Sequence, residues 1–288
     1  MTIVDACTRR REGGSPTAVL IDDITLSDST RRAIVRHAGT SHAAFVDADA
    51  GTTPTVRFFT AHGELTNCGH GTIAAQAVLL HRRGIREYRS RQRTGGRTFD
   101  TTAIQRDDGI EVWFHQGPVE LQGCTAAERD NLLAALGIRS NDIATGDAPC
   151  IASPGTPRLL VPVKTLSALL SIRPDPHRLA AECRRLGYLG CFVYTLSPTR
   201  DAAAARMFAP AIGVSEDVVN ANSTGCLAAH LFATHGHSNI EVEQGHTAGR
   251  PSSVFATATA TTEGISTRVG GMATIRSSPT GTANGEAP

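Results

Sequence analysis

The sequence lacks an excess of either charge. Its 28 basic and 27 acidic residues leave a formal net charge of +1. No broad electrostatic footprint for nucleic acid or an anionic membrane is therefore expected. It lacks an apolar run long enough for a membrane helix. No charged head followed by an apolar core stands at its start, so no signal peptide is expected. It lacks a Cys-x-x-Cys pair. The seven cysteines, Cys7, Cys68, Cys124, Cys150, Cys183, Cys191 and Cys226, are odd in number and scattered. That pattern speaks against a zinc ribbon and for reduced thiols in a cytoplasm. There is no Walker loop, dinucleotide fingerprint or nucleophile elbow. His62, His115 and His246 have no spacing that builds a metal site.

What is present reads as a globular chain. Its 288 residues, 40% hydrophobic and 19% charged, suit one large domain or two small lobes. Thr2 to Cys7 and Pro16 to Ile21 read as strands around a Gly13–Gly14–Ser15–Pro16 turn. A helix capped by Ser27 or Asp28 follows, with Ile34, Val35 and Ala38 as its apolar face and Gly39 as its stop. Ala43 to Asp47 and Thr55 to Thr60 are further strands.

The most informative stretch runs from Glu64 to Thr72 (ELTNCGHGT) into Ile73–Leu80, where Gln76 is the only polar side chain. A helix this apolar on every side must be buried on every side. The second half repeats the grammar. Arg57–Phe58–Phe59–Thr60 is echoed by Arg206–Met207–Phe208–Ala209, and Gly71–Thr72–Ile73–Ala74–Ala75 by Gly225–Cys226–Leu227–Ala228–Ala229. The spacing from Arg57 to Ala74 is 17 positions and from Arg206 to Ala228 is 22. Two copies imply a duplicated lobe with internal pseudo-symmetry, not a solenoid. The expected fold is α+β: two pseudo-symmetric lobes, each a strongly curved, mostly antiparallel sheet around a central apolar helix. Residues 1–118 would form the first lobe, completed by about 265–276, and 119–264 the second. The linker is expected near Gly117–Pro118 to Gly123. The tail 277–288, small, polar and rich in Gly and Pro, is expected to be disordered.

Several collinear pieces resemble the PhzF family, which shares the diaminopimelate epimerase-like fold. They are Val4–Asp5–Ala6–Cys7–Thr8 with Gly14–Ser15–Pro16–Thr17–Ala18–Val19, then Glu64 with Cys68–Gly69–His70–Gly71–Thr72. Pro154–Gly155–Thr156–Pro157, Met207–Phe208–Ala209–Pro210 with Glu216–Asp217, and Gln244–Gly245 with Gly249–Arg250–Pro251–Ser252 complete the set. The resemblance implies an active site in the cleft between lobes, a homodimer, and neither metal nor organic cofactor. It implies an isomerase that moves a proton between carbons of a small carboxylic acid. Relatives with this fold epimerise or racemise amino acids with two cysteines.

His42 stands where the family pattern usually has a glutamate serving as base and acid. A neutral imidazole does the same work, since its unperturbed pKa of about 6.5 lies near working pH. His70, between Gly69 and Gly71, matches the family histidine at a helix start, where N–H groups and the helix dipole favour a carboxylate. Asp217 matches the acidic residue that holds the substrate's polar substituent. Asn220–Ala221–Asn222 stands in line with the family's Thr-Gly-Ser, so Asn222 takes the serine position. Cys68, Gly69, Gly71, Asn222 and Ser223 are the expected substrate contacts, and His42, His70 and Asp217 the expected catalytic groups. Pseudo-symmetry sets Asn222 opposite Cys68 and Cys226 one turn deeper, which argues against a two-thiol racemase. Glu64 is expected to shape the loop before Cys68, Arg250 to be structural or at a dimer interface, and Trp113 to pack in a core. The expected reaction is a proton and double-bond shift on a small unsaturated amino-acid-like acid, in secondary metabolism, with alkylated-proline precursors as one class. An amino-acid epimerase and a non-catalytic relative that lost its base are the alternatives.

Overall fold

Helix starts and stops follow the small residues read above. In the computed structural model, which describes residues 1–21, 25–48 and 53–276, Ser27 caps the first helix by accepting from the Thr30 N–H. Gly39 ends it at φ +64°, a conformation glycine adopts without strain. The first half of the chain forms β1 (Thr2–Thr8), β2 (Ser15–Ile21), α1 (Asp28–Ala38), β3 (His42–Asp47), β4 (Thr55–Phe59), β5 (Glu64–Leu65), α2 (Gly69–Arg83), β6 (Glu87–Thr94), β7 (Arg97–Arg106) and β8 (Gly109–Gly123). The second half forms α3 (Ala126–Leu136), β9 (Cys150–Ser153), β10 (Arg158–Pro162), α4 (Leu166–Ser171), α5 (Pro176–Leu186), β11 (Cys191–Leu196), β12 (Ala202–Ala209), β13 (Val214–Asp217), α6 (Ala221–His235), β14 (Asn239–Gln244), β15 (Ser252–Thr261) and β16 (Gly264–Ile275). The tail from Ser277, expected to be disordered, lies outside the described residues.

The strands form one ring-like sheet that closes twice. One circuit runs β1-β2-β3-β4-β6-β7-β8-β16 and returns to β1. The other runs β9-β10-β11-β12-β14-β15-β16-β8 and returns to β9. Strands β8 and β16 belong to both circuits. They pair antiparallel from Ala273↔Ile110 to Ile265↔Val119. The fold is the α+β, two-lobed, helix-centred architecture read from the duplicated sequence. The stretch Gly117 to Gly123, expected to link the lobes, is the far half of β8, paired with β16 and β9. Gly117, at φ +90°, absorbs the irregularity that lets one strand serve both barrels.

Each barrel holds one helix. Helix α2 packs against β1, β2, β3, β4, β7, β8 and β16, and α6 against β8, β9, β14, β15 and β16. Every residue from Gly69 to Leu80 is buried. Ile73 and Leu80 are among the largest fully enclosed side chains, each stabilising by about 2 kcal/mol through apolar burial. Gln76 is tolerated inside because it is satisfied. Its Nε2 donates to Gln92 Oε1 at 2.9 Å, and its Oε1 accepts from Ser90 Oγ at 3.2 Å. Smaller apolar clusters lie under α1, and beneath α3, α4 and α5 outside the second barrel.

The pseudo-symmetry extends to ion pairs. Arg57 grips Glu64 with Nε–Oε1 at 2.8 Å and Nη2–Oε2 at 2.6 Å. Arg206 grips Glu216 the same way, at 2.9 and 2.8 Å. Each guanidinium also lies over an aromatic ring two residues on, Phe59 or Phe208. Glu64 thereby pins the hairpin that leads to Cys68.

Candidate active site

The two central helices begin face to face. Glycine at position 69 allows it. A methyl group added there would sit 2.7 Å from the Cβ of Ala221, the first residue of α6. Asn222 Nδ2 donates to Asn67 Oδ1 at 2.9 Å and ties the helix starts together. The two ends are chemically unequal. Cys68 is the N-cap of α2, and its side chain makes no capping hydrogen bond. The Gly69 and His70 N–H groups at the start of α2 are thus left for an anion, with the helix dipole behind them. Helix α6 is capped by its own sequence, because Asn220 Oδ1 accepts from the Ser223 N–H at 3.0 Å.

A cleft of about 610 Å³ opens between these starts, lined among others by His42, Cys68, Gly69, His70, Asp217 and Asn222. His42 is the first residue of β3, and His70 lies in the first turn of α2. Their rings meet edge to face with centroids 4.5 Å apart. Ser41 Oγ lies 2.8 Å from His42 Nδ1, which leaves Nε2 as that ring's open nitrogen. Cys68 Sγ is 3.4 Å from His70 Nε2. The Val219 carbonyl faces the His70 ring closely enough to favour its protonated form.

Burial sets the charges. It pushes His42 down to about 4, helped by the neighbouring His70 and opposed by Asp217. It pushes His70 down to about 4 as well, against the pull of the Val219 carbonyl. Both imidazoles are neutral at pH 7. Asp217 keeps part of its surface open to the cleft, yet protein atoms crowd its carboxyl. That burial raises its pKa, while His42 and the Asn220 amide pull it back. Asn220 Nδ2 donates to Asp217 Oδ2 at 3.1 Å. Burial also raises the Cys68 thiol, so it is no ready thiolate. The set offers a neutral base with a carboxylate nearby to stabilise the imidazolium it becomes.

The structure brings His42, Cys68, Gly69, His70, Asp217 and Asn222 to one cleft. It sends two expected contacts elsewhere. Ser223 is fully buried. Its N–H is spent on Asn220, and its hydroxyl accepts from Arg158 Nη1 at 3.3 Å. Gly71 faces inward, where an added Cβ would strike the Phe58 ring at 2.8 Å. Both corrections have one cause: from the third residue of each helix onward, Gly71 in α2 and Ser223 in α6, the chain already faces into its barrel. Cys226 is fully buried in the core, and Asn222 occupies the cleft across from Cys68. Arg250 is structural. It clamps the β1–β2 turn through Asp5 and the Gly13 and Gly14 carbonyls at 2.7–2.9 Å. Trp113 is half-buried on the sheet surface, not in the core, and donates to Glu111 at 2.6 Å.

Sequence reasoning missed Ser41, Asn67 and Asn220, which hold His42, Asn222 and Asp217. Asn220 carried a usable signal, a capping residue type immediately before the helix. Also missed was a second hollow of about 340 Å³. It shares Asn67, Cys68 and Asn222 with the cleft and adds Arg97 and Gln116. Its residues come from segments far apart in sequence: the loop before α2, strands β7 and β8, and the start of α6.

The profile of the phenazine biosynthesis-like family, PhzC-PhzF, matches residues 4–278. The chain belongs to the PhzF family. This PhzF-family chain is 29% identical over 258 residues to an uncharacterized isomerase of Clostridium acetobutylicum, covering 86% of the chain and 85% of that protein. It is 31% identical over 270 residues to the trans-2,3-dihydro-3-hydroxyanthranilate isomerase of Pseudomonas fluorescens, covering 89% of each. A PhzF-family crystal structure from Bacillus anthracis superposes with a TM-score of 0.83 at 20% identity over 96% of both chains, a likeness of fold. The PhzF-family chain is an isomerase, like the curated relatives it matches along most of its length. No helix among the described residues is long and apolar enough to cross a membrane.

Proposed function

We propose that the protein shifts a proton, and with it a double bond, on a small unsaturated amino-acid-like carboxylic acid, without a cofactor. The substrate carboxylate docks on the open start of α2, at Gly69 and His70. Asp217 receives the amine or hydroxyl substituent. His42 Nε2 accepts a proton from a carbon acidified by conjugation, and the electron pair delocalises toward the carboxylate. The imidazolium then returns the proton to the far end of the conjugated system, directly or through His70. The electron pair moves with it, so no redox partner is needed. Asp217 stabilises the transient positive charge on His42. Enclosure by both lobes keeps bulk water from competing for that proton.

One observation carries this reading. A neutral imidazole with an open Nε2 faces a cleft that holds an uncapped helix start and a carboxylate. A place in secondary metabolism, a homodimeric assembly and a cytoplasmic setting belong to the same proposal and rest on the family resemblance. The test is incubation in heavy water with trans-2,3-dihydro-3-hydroxyanthranilate, the substrate in the Pseudomonas relative's name, and with unsaturated proline-type acids. Mass spectrometry follows deuterium entry, and ultraviolet absorbance follows the double bond. His42→Ala should abolish both signals. Undiminished turnover in that variant would discard the mechanism. Deuterium entering a stereocentre with no spectral change would indicate epimerisation in its place.

A further inference from the structure

Replacing the family's usual carboxylate with an imidazole has a coordination consequence. His42, Cys68 and His70 are all buried, and one ligand atom from each lies within 4.8 Å of the other two. We infer that these three side chains form a binding site for a single zinc ion, with its fourth position open to the cleft.

The donor set suits the metal. One thiolate and two imidazoles select zinc over the hard cations that prefer oxygen, and three protein ligands with one open position is a common zinc arrangement. One pair of ligands already has the spacing of a bound ion, and the third must close in by rotation of its side chain. Cys68 Sγ and His70 Nε2 are 3.4 Å apart, close to the span of two ligands on one tetrahedral ion. His42 has an outer partner, since Ser41 Oγ lies 2.8 Å from its Nδ1, and the Val219 carbonyl lies near the His70 ring. Such outer contacts orient metal-binding imidazoles. The ligands sit on rigid elements, the first residue of β3, the N-cap of α2 and its first turn. Coordination would replace the S–H bond of Cys68 with an S–Zn bond and release one proton to solvent. It would also occupy the two imidazole nitrogens that face the cleft.

The inference therefore adds a regulatory property to the proposed proton transfer, and that part rests on the reading above. Zinc and catalysis compete for His42, so bound zinc silences exchange. In a carboxylate-containing homologue the cluster would have one nitrogen fewer.

The test uses the whole protein, freed of metal by chelation and titrated with Co²⁺ and then Zn²⁺. The expected result is one equivalent of Co²⁺ with a thiolate charge-transfer band in the near ultraviolet, displaced by Zn²⁺. Cys68→Ser should lose that band. His42→Gln, with its fold checked by circular dichroism, should weaken uptake by about tenfold or more. A measurement without variants accompanies it: in the wild type, Zn²⁺ should slow alkylation of Cys68, mapped by peptide mass. No band, a band that survives Cys68→Ser, or uptake lost with His235→Ala at the surface His235–His237 pair would each overturn the site. Heavy-water exchange in the metal-free protein separates the two claims. Exchange without zinc uptake removes this inference and leaves the isomerase mechanism. Zinc uptake without exchange does the reverse.

Discussion

Acid should loosen this protein through its two active-site histidines, and His70 is the cleaner one to remove because His42 also acts on Asp217. In the folded state burial holds His70 near 4, while the unfolded chain protonates near the ordinary 6.5. A histidine depressed in this way stabilises the fold above the unfolded pKa. That contribution is lost as pH falls through 6.5 toward 4, because only the unfolded state takes up the proton. Between pH 7 and pH 5 the loss is about 2 kcal/mol for one such group, and about 3 kcal/mol by pH 4. His42, pushed to about 4 by the same burial, adds a similar amount. Asp217 moves the other way, since its raised pKa lets the folded state bind a proton first. Comparing wild type with His70→Gln cancels that background. Urea unfolding followed by the single tryptophan, Trp113, at steps from pH 7.5 to 4.5 measures the difference. The wild type should lose about 2 kcal/mol more than the variant between pH 7 and pH 5. Parallel curves would refute the claim that the folded protein keeps His70 neutral.

Three further outcomes follow from the same geometry. If His42 is the base, the acid limb of kcat/KM lies near its folded value of about 4, so activity persists at pH 5.5, and a limb at 6.5 would contradict the assignment. The two pseudo-symmetric ion pairs should differ in worth. Arg206, 5% exposed and bonded also to the Leu169 and Ile172 carbonyls, should cost about 3–5 kcal/mol as Arg206→Ala. Arg57→Ala, at 36% exposure, should cost about 1 kcal/mol or less by the same unfolding measurement. Gly69→Ala must push α2 from α6, because its Cβ would meet Ala221 at 2.7 Å. It should lose about 1–3 kcal/mol of stability and most of its turnover, with KM rising, and unchanged kinetics would separate this helix contact from the chemistry.

Much of this was legible in the residues themselves. The all-apolar run after Cys68 demanded a helix enclosed on every side, and the second such run demanded a second enclosure. Capping residues and glycines placed the helix ends, because caps and left-handed turns depend on one or two neighbouring side chains. His42, His70 and Asp217 could be singled out as chemically competent, since side-chain chemistry is local. Tertiary structure alone decided that β8 and β16 serve both barrels, because strand pairing joins residues about 150 positions apart, which no local pattern records. It also decided which side of each helix start meets the cleft. Gly69 and His70 face it, while Gly71 and Ser223 turn inward, because the closing of each sheet fixes the helix's rotation. The depressed histidines arise there too, since water is excluded only once both lobes have closed around them.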